Sequence, residues 1–169
     1  MLPLIPEEFT SSDGKRRVRP LVTASQLRHH GFELENCLRS GYATQYVRKG
    51  ATGTVFLVGT FCPGTGQALS TAEIAVKSDR HGLAYKFVVR QHSALANRRP
   101  SPRCVRAIQE LLQHCQTDEV REYLEDSWRE IGSRIISGRR KNELQVSMVV
   151  TRALKEIIGE QVYDDIVEH

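Results

Sequence analysis

The sequence predicts an α+β fold: an antiparallel meander of about four strands, flanked by one or two short N-terminal helices and about three C-terminal helices. Three observations lead there. Between Tyr42 and Pro102 apolar residues alternate with a period of two, broken by turns that contain Gly and Pro. Beyond Pro102 the period lengthens to that of amphipathic helix, and ahead of Tyr42 lies a short segment with helix-capping residues. With 169 residues, 40% hydrophobic and 26% charged, the chain has the composition of a globule. That length suits one domain burying roughly two thirds of its unfolded surface.

Residues 1–20, with prolines at 3, 6 and 20 and a run of basic residues, read as a flexible basic N-terminal arm, leaving 21–169 as the single domain. Thr23 is placed as an N-cap with Gln26 three residues on, the pattern of a capping box, and Gly31 is expected to end or bend that helix. A further turn or two over 33–39 sets Leu34, Cys37 and Leu38 on one face, which turns Cys37 inward. Residues 42–48 alternate Tyr42, Thr44 and Tyr46 and read as the first strand, with 49–53 as its hairpin turn.

The β-branched and aromatic run 54–61 is the second strand, stopped by Pro63 and Gly64. Strands over 68–77 and 83–91 follow. Pairing Ile74 with Phe87 and Val76 with Tyr85 keeps their apolar faces together, since a slip of one residue inverts every side chain. That register leaves 79–82 for the turn and sets Thr71 opposite Arg90 and Glu73 opposite Val88. Glu73 is then either a cross-strand ion-pair partner of Lys86 and Arg90 or a functional carboxylate. Tyr85 and Phe87 have the spacing both of a stacking platform for single strands and of a core face, and the core is the simpler use.

Ser101 is placed as N-cap with Pro102 at the first helical position, followed by a stripe of Val105, Ile108, Leu111, Leu112 and Cys115. Thr117 opens a helix with the stripe Val120, Tyr123, Leu124, Trp128, Ile131 and Ile135. A last helical region over 144–168 either completes the core or pairs with a protein partner or a second copy of the chain.

The net charge of +4 is modest, but it is clumped. Lys15, Arg16, Arg17 and Arg19 form one cluster, Arg98, Arg99 and Arg103 a second, and Arg139, Arg140 and Lys141 a third. Such patches are the footprint of a protein that binds a polyanion, so nucleic acid is the expected partner. No apolar run approaches the roughly 18 residues that span a bilayer. The start lacks the features of a signal peptide, so the cytoplasm is expected and no membrane. The four cysteines show no Cys-x-x-Cys spacing and the six histidines no ligand repeat. No metal site and no cofactor is therefore expected. Cys37, His92 and Asn97 have the residue types of a thiol nucleophile, a base and an orienting amide, with Gln91 as a possible oxyanion donor.

Three segments in order, Glu33-Leu-Glu-Asn-Cys37-Leu38 with Tyr42, then Leu69-Ser-Thr71-Ala72-Glu73-Ile74, then Gln91 through Asn97 to Pro100, resemble the PcfJ-like family. That family takes its name from a protein of conjugative plasmids, and the match covers about 31–112. Its members have a His-Cys-Val element before a Tyr, a Thr-x-Glu strand and a Gln…Asn…Pro segment. Here Asn36 stands where the family usually has His, and Ser93 to Ala96 stand where a Gly often separates Gln and Asn. The resemblance implies DNA processing on a mobile element, with Cys37, Tyr42, Glu73, Gln91, Asn97 and Pro100 as the positions to watch. The leading expectation is a nucleic-acid-binding or complex-forming accessory protein of a mobile genetic element. The alternatives are a cysteine-dependent enzyme using Cys37, His92 and Asn97, and an interaction or regulatory module acting through the C-terminal helix.

Overall fold

The uninterrupted apolar run Val55–Phe61 is the strand on which the sheet is built. In a computed structural model, which describes residues 1–78 and 85–137, every residue of it is buried. A strand shielded on both faces has no need to alternate. Five strands form one sheet in the order β1-β2-β3-β4-β5: β1 Phe9–Thr10, β2 Arg17–Pro20, β3 Val55–Phe61, β4 Ala68–Ser78 and β5 Tyr85–Ala94. All four pairings are antiparallel. The fold is α+β as expected, with five strands where about four were anticipated.

Helices cover both faces. On one side α1 (Ala24–Glu33), a 3₁₀ turn Cys37–Arg39 and α2 (Tyr42–Lys49) pack Leu27, Leu34, Leu38 and Ala43 against Leu57, Phe61 and Ala68. On the other, α3 (Pro102–His114) and α4 (Asp118–Ser137) pack Ile108, Leu111, Leu124 and Trp128 against Phe56, Val58, Ala72, Ile74 and Phe87. Caps begin two of these helices where the sequence places them. Thr23 and Gln26 form the reciprocal capping box, and Ser101 Oγ accepts the Cys104 N–H at 3.3 Å. The hydroxyl of Thr117 donates back to the His114 carbonyl at 2.8 Å, while Asp118 and Glu119 give the first turn of α4 its negative charge. No helix among the described residues is long and apolar enough to cross a membrane.

Four expectations need correcting. Residues 1–20 are not an arm: β1 and β2 lie in the sheet, and Leu4, Ile5 and Val18 are buried in its core, because three apolar side chains suffice to dock a short hairpin. The stretch expected as the first strand, 42–48, is α2. Its Tyr42 and Thr44 are exposed, while Ala43, Tyr46, Val47 and Gly50, spaced i, i+3, i+4 and i+7, face the sheet. Two periods were present, and burial selected the helical one. The expected hairpin turn over 49–53 is consequently a 3₁₀ turn, Gly50–Thr52, that feeds β3. Gly31 does not end α1, which runs on to Glu33. A Cβ there would lie 2.3 Å from the Arg39 nitrogen, so its bare backbone is what lets the 3₁₀ turn pack on the helix.

The register of β4 and β5 also differs. Val76 pairs with Phe87, Ile74 with Val89 and Ser78 with Tyr85, two residues from the expected alignment but with the same faces together. Between Ile74↔Val89 and Glu73↔Gln91 one residue of β5, Arg90, is left over as a bulge. Beyond it each β5 side chain swaps faces. The turn expected over 79–82, the cluster Arg139, Arg140 and Lys141, and the helix over 144–168 lie outside the described residues.

Candidate functional site

The Arg90 bulge decides what stands beside Glu73. Without it Gln91 would share the face of Phe87; with it Gln91 lies directly across from Glu73, and Ser93 across from Thr71, all on the side of α1 and α2. Two turns close over this row. At the end of α1, Glu35 takes the left-handed conformation (φ 50°), and Asn36 Oδ1 accepts the Leu38 N–H at 3.0 Å, starting the turn that carries Cys37. After β5, Ala96 and Asn97 are left-handed as well (φ 50° and 58°), and the Ala96 N–H donates to the Leu34 carbonyl at 2.8 Å. Non-glycine residues held there cost of order 1 kcal/mol each, and such strain gathers where function over-determines the backbone.

The result is an open pocket of about 330 Å³, mouth included. Asn36 and Cys37 line it from the 3₁₀ turn, Tyr46 from α2, Thr71 and Glu73 from β4, Gln91 and Ser93 from β5, and Asn97 from the following turn. Leu38 and Leu57 supply its apolar part. Cys37 is exposed, contrary to expectation, because the 3₁₀ turn directs Leu38 and not Cys37 at the sheet.

Glu73 is the electrostatic centre of the pocket. Its side chain is 8% exposed, and it accepts from Lys49 Nζ at 2.8 Å and from the Tyr46 hydroxyl at 3.1 Å, with Arg90 Nη1 3.6 Å away. The expected ion pair with Arg90 thus exists, joined by a lysine and a phenol from α2. Burial, and then the adjacent carboxylate, push the Tyr46 hydroxyl up to about 12, so it stays a proton donor near neutrality. Thr71 is 6% exposed and its Oγ1 has no hydrogen-bond partner among the described residues. A buried hydroxyl left open is a place for a ligand or a water to bond.

Four of the sequence-predicted residues, Cys37, Glu73, Gln91 and Asn97, come together here. His92 does not. It faces the other side of the sheet, where its Nε2 lies 2.8 Å from Ser70 Oγ, and burial lowers its pKa to about 4. The expected triad of Cys37, His92 and Asn97 is therefore not assembled, because the bulge that turns Gln91 toward Cys37 turns His92 away. Tyr42 is 53% exposed at the start of α2 and does not line the pocket. Asn36, Tyr46, Lys49, Thr71 and Ser93 were missed. Thr71 shares a strand face with Glu73, and Tyr46 and Lys49 are i, i+3 neighbours once 42–49 is read as helix.

The basic clusters differ in state. Arg17 and Arg19 both pair with Glu8, Arg19 also lies over the Phe61 ring, and Arg16 donates to the Lys15 carbonyl, so the first cluster is largely tied within its hairpin, with Lys15 exposed. Arg98, Arg99 and Arg103 are exposed and meet no acidic side chain among the described residues. Tyr85 and Phe87 belong to the core, edge-to-face with each other and with Trp128 and Phe56. Among the described residues no three His, Cys, Asp or Glu side chains gather as a metal ion would need. Comparison of the chain with family models, with curated proteins and with solved structures finds no match.

Proposed function

We propose that this protein binds single-stranded nucleic acid, with phosphates held by Arg98 and Arg99 and a neutral base edge or sugar hydroxyl entering the pocket. The observation that carries this reading is the junction at Asn97: the pocket ends there, and the next residue begins a run of arginines that meet no acidic side chain among the described residues. The lining suits a neutral group that both donates and accepts. Glu73 is already balanced by Lys49 and Arg90, so the remaining functional groups are the amides of Gln91 and Asn97 and the hydroxyls of Thr71 and Ser93. Phe32 and Tyr42, 65% and 53% exposed, are aromatic faces on which bases can stack. The setting on a mobile genetic element rests on the PcfJ-like resemblance alone.

A cysteine-dependent reaction at Cys37 is the weaker reading, since among the described residues no imidazole lines the pocket to take its proton. Fluorescence anisotropy with a labelled single-stranded oligonucleotide tests the proposal across a salt series. The double variant Arg98→Glu with Arg99→Glu is expected to bind about tenfold or more weakly at ~0.1 M salt. Its log–log salt slope should fall by about 1.4, from two lost phosphate contacts at ~0.7 each. An absence of binding by the native chain at low salt ends the proposal.

A further inference from the structure

The sheet carries two cross-strand pairs of hydroxyls, one on each face, and they are in different states. On the side of α3, Thr60 and Ser70 face each other across β3 and β4 with their oxygens 2.6 Å apart, and Ser70 continues to His92. That pair is satisfied. On the side of the pocket, Thr71 and Ser93 face each other across β4 and β5, and both line the pocket while being only 6% and 9% exposed. The Thr71 hydroxyl has no hydrogen-bond partner among the described residues, and it is the one buried polar atom left so among those that line the pocket. Burying a hydroxyl without a partner is costly, and no core packing requires one here. Its Oγ1 is closed to water as it stands, and a change of χ1 rotamer is what presents it to a group in the pocket.

Which part of a ligand reaches it follows from what surrounds the mouth, given the reading of the pocket as a site for single-stranded nucleic acid, on which this inference rests. Arg98 and Arg99 are exposed and hold phosphates outside the pocket. Phe32 and Tyr42 are exposed and do not line it, so bases that stack on them stay outside as well. The sugar is the part of a nucleotide bonded directly to the phosphate, and it is what remains to enter beside Asn97. A ribose 2′-hydroxyl donates one hydrogen bond and accepts others, and so do the hydroxyls of threonine and serine. Deoxyribose has only hydrogen at that position.

We propose that the pocket receives a ribose 2′-hydroxyl at Thr71 and Ser93, so that the protein selects single-stranded RNA over single-stranded DNA of the same sequence. The 2′-hydroxyl accepts from one of the two side chains and donates to the other, which supplies the partner that Thr71 lacks. Deoxyribose leaves the Thr71 hydroxyl as it is in the free protein, and binding then gains nothing from it.

Fluorescence anisotropy compares labelled strands of one sequence as RNA, as DNA and as 2′-fluoro RNA, which keeps the ribose pucker and lacks the hydroxyl. The native, full-length chain should bind RNA about tenfold more tightly than either of the others, the worth of one hydrogen bond gained at a buried group. Thr71→Val, which removes the hydroxyl at nearly constant size, should weaken RNA binding about tenfold and leave DNA binding unchanged. Ser93→Ala should act in the same direction. The 2′-fluoro strand makes the test on the unaltered protein, so the outcome does not depend on either variant folding. RNA and DNA bound equally, 2′-fluoro RNA bound as tightly as RNA, or a preference for RNA that survives in a folded Thr71→Val overturns the inference and leaves the nucleic-acid reading standing. Binding of no strand at low salt ends both.

Discussion

Glu73 is held by three groups from two elements, Tyr46 and Lys49 of α2 and Arg90 of β5, and each is left worse off without it. Glu73→Gln keeps the shape but leaves Lys49 and Arg90 facing a neutral amide, and the Tyr46 hydroxyl with a weaker acceptor. Lys49 and Arg90 are about half exposed and rehydrate, so the expected loss is only ~1–2 kcal/mol, a fall in Tm of about 2–6 °C read by thermal denaturation. Two other residues set the response to acid. Burial lowers both His30 and His92 to about 4, well under the ordinary 6.5. Between those values the unfolded chain binds protons that the folded chain refuses. Stability from these groups is therefore complete above about pH 6.5 and is lost as the pH falls toward about 4. His30, 2% exposed, contributes up to ~3 kcal/mol to that slope, and the less buried His92 a smaller share. Urea titrations at about pH 7 and about pH 5 should show the loss, and His30→Gln should reduce the slope by about one proton. A pH-independent midpoint over that range counts against neutral buried histidines.

At the scale of elements, single backbone features decide which side chains meet. One extra residue in β5 places Gln91 opposite Glu73 and His92 beside Ser70. Strict alternation in the sequence reads through such a bulge without a signal, and it fixes facing but not alignment, since a slip of two residues leaves every side chain on its own face. Deleting Arg90, the extra residue, should leave Gln91 opposite Glu73 and His92 on the face of Ile74 in a regular ladder, costing under ~1 kcal/mol; a loss of ~2 kcal/mol or more in urea titration would argue that the bulge is not there, since without it the deletion inverts every side chain beyond. The glycines of the α1–α2 segment make a matched pair. Alanine favours helix over glycine by about 1 kcal/mol, yet Gly31→Ala should destabilise by about 2–3 kcal/mol, because its Cβ would strike the backbone of Leu38 and Arg39. Gly41→Ala, with nothing within 4 Å, should change stability by under ~0.5 kcal/mol. Equal effects at the two sites would contradict the close packing of the Cys37 turn on α1.

At the scale of the molecule, the described residues form a sheet packed on both faces, and Trp128 reports on one of them. This single tryptophan is 1% exposed, donates to the Gly53 carbonyl at 3.0 Å and lies edge-on to Tyr85 at 5.2 Å. Its emission should be blue-shifted in the native state and move to the red on unfolding, at the same denaturant concentration as the loss of far-ultraviolet circular dichroism. An earlier fluorescence transition would mean that α4 leaves the sheet before the sheet unfolds. The sequence by itself determined the class of fold, the three longest strands, the caps at Thr23 and Ser101, and the apolar stripes of α3 and α4, since propensity, capping and hydrophobic period are local properties. It also singled out Cys37, Glu73, Gln91 and Asn97, though not what joins them. Tertiary structure alone decided that 42–49 is helix, that the N-terminal hairpin extends the sheet, that Cys37 is open to solvent, and that His92 lies against Ser70 and not Cys37. Each of those outcomes turns on which of two compatible patterns finds a partner surface to bury against, and that surface is built by residues far away in the chain.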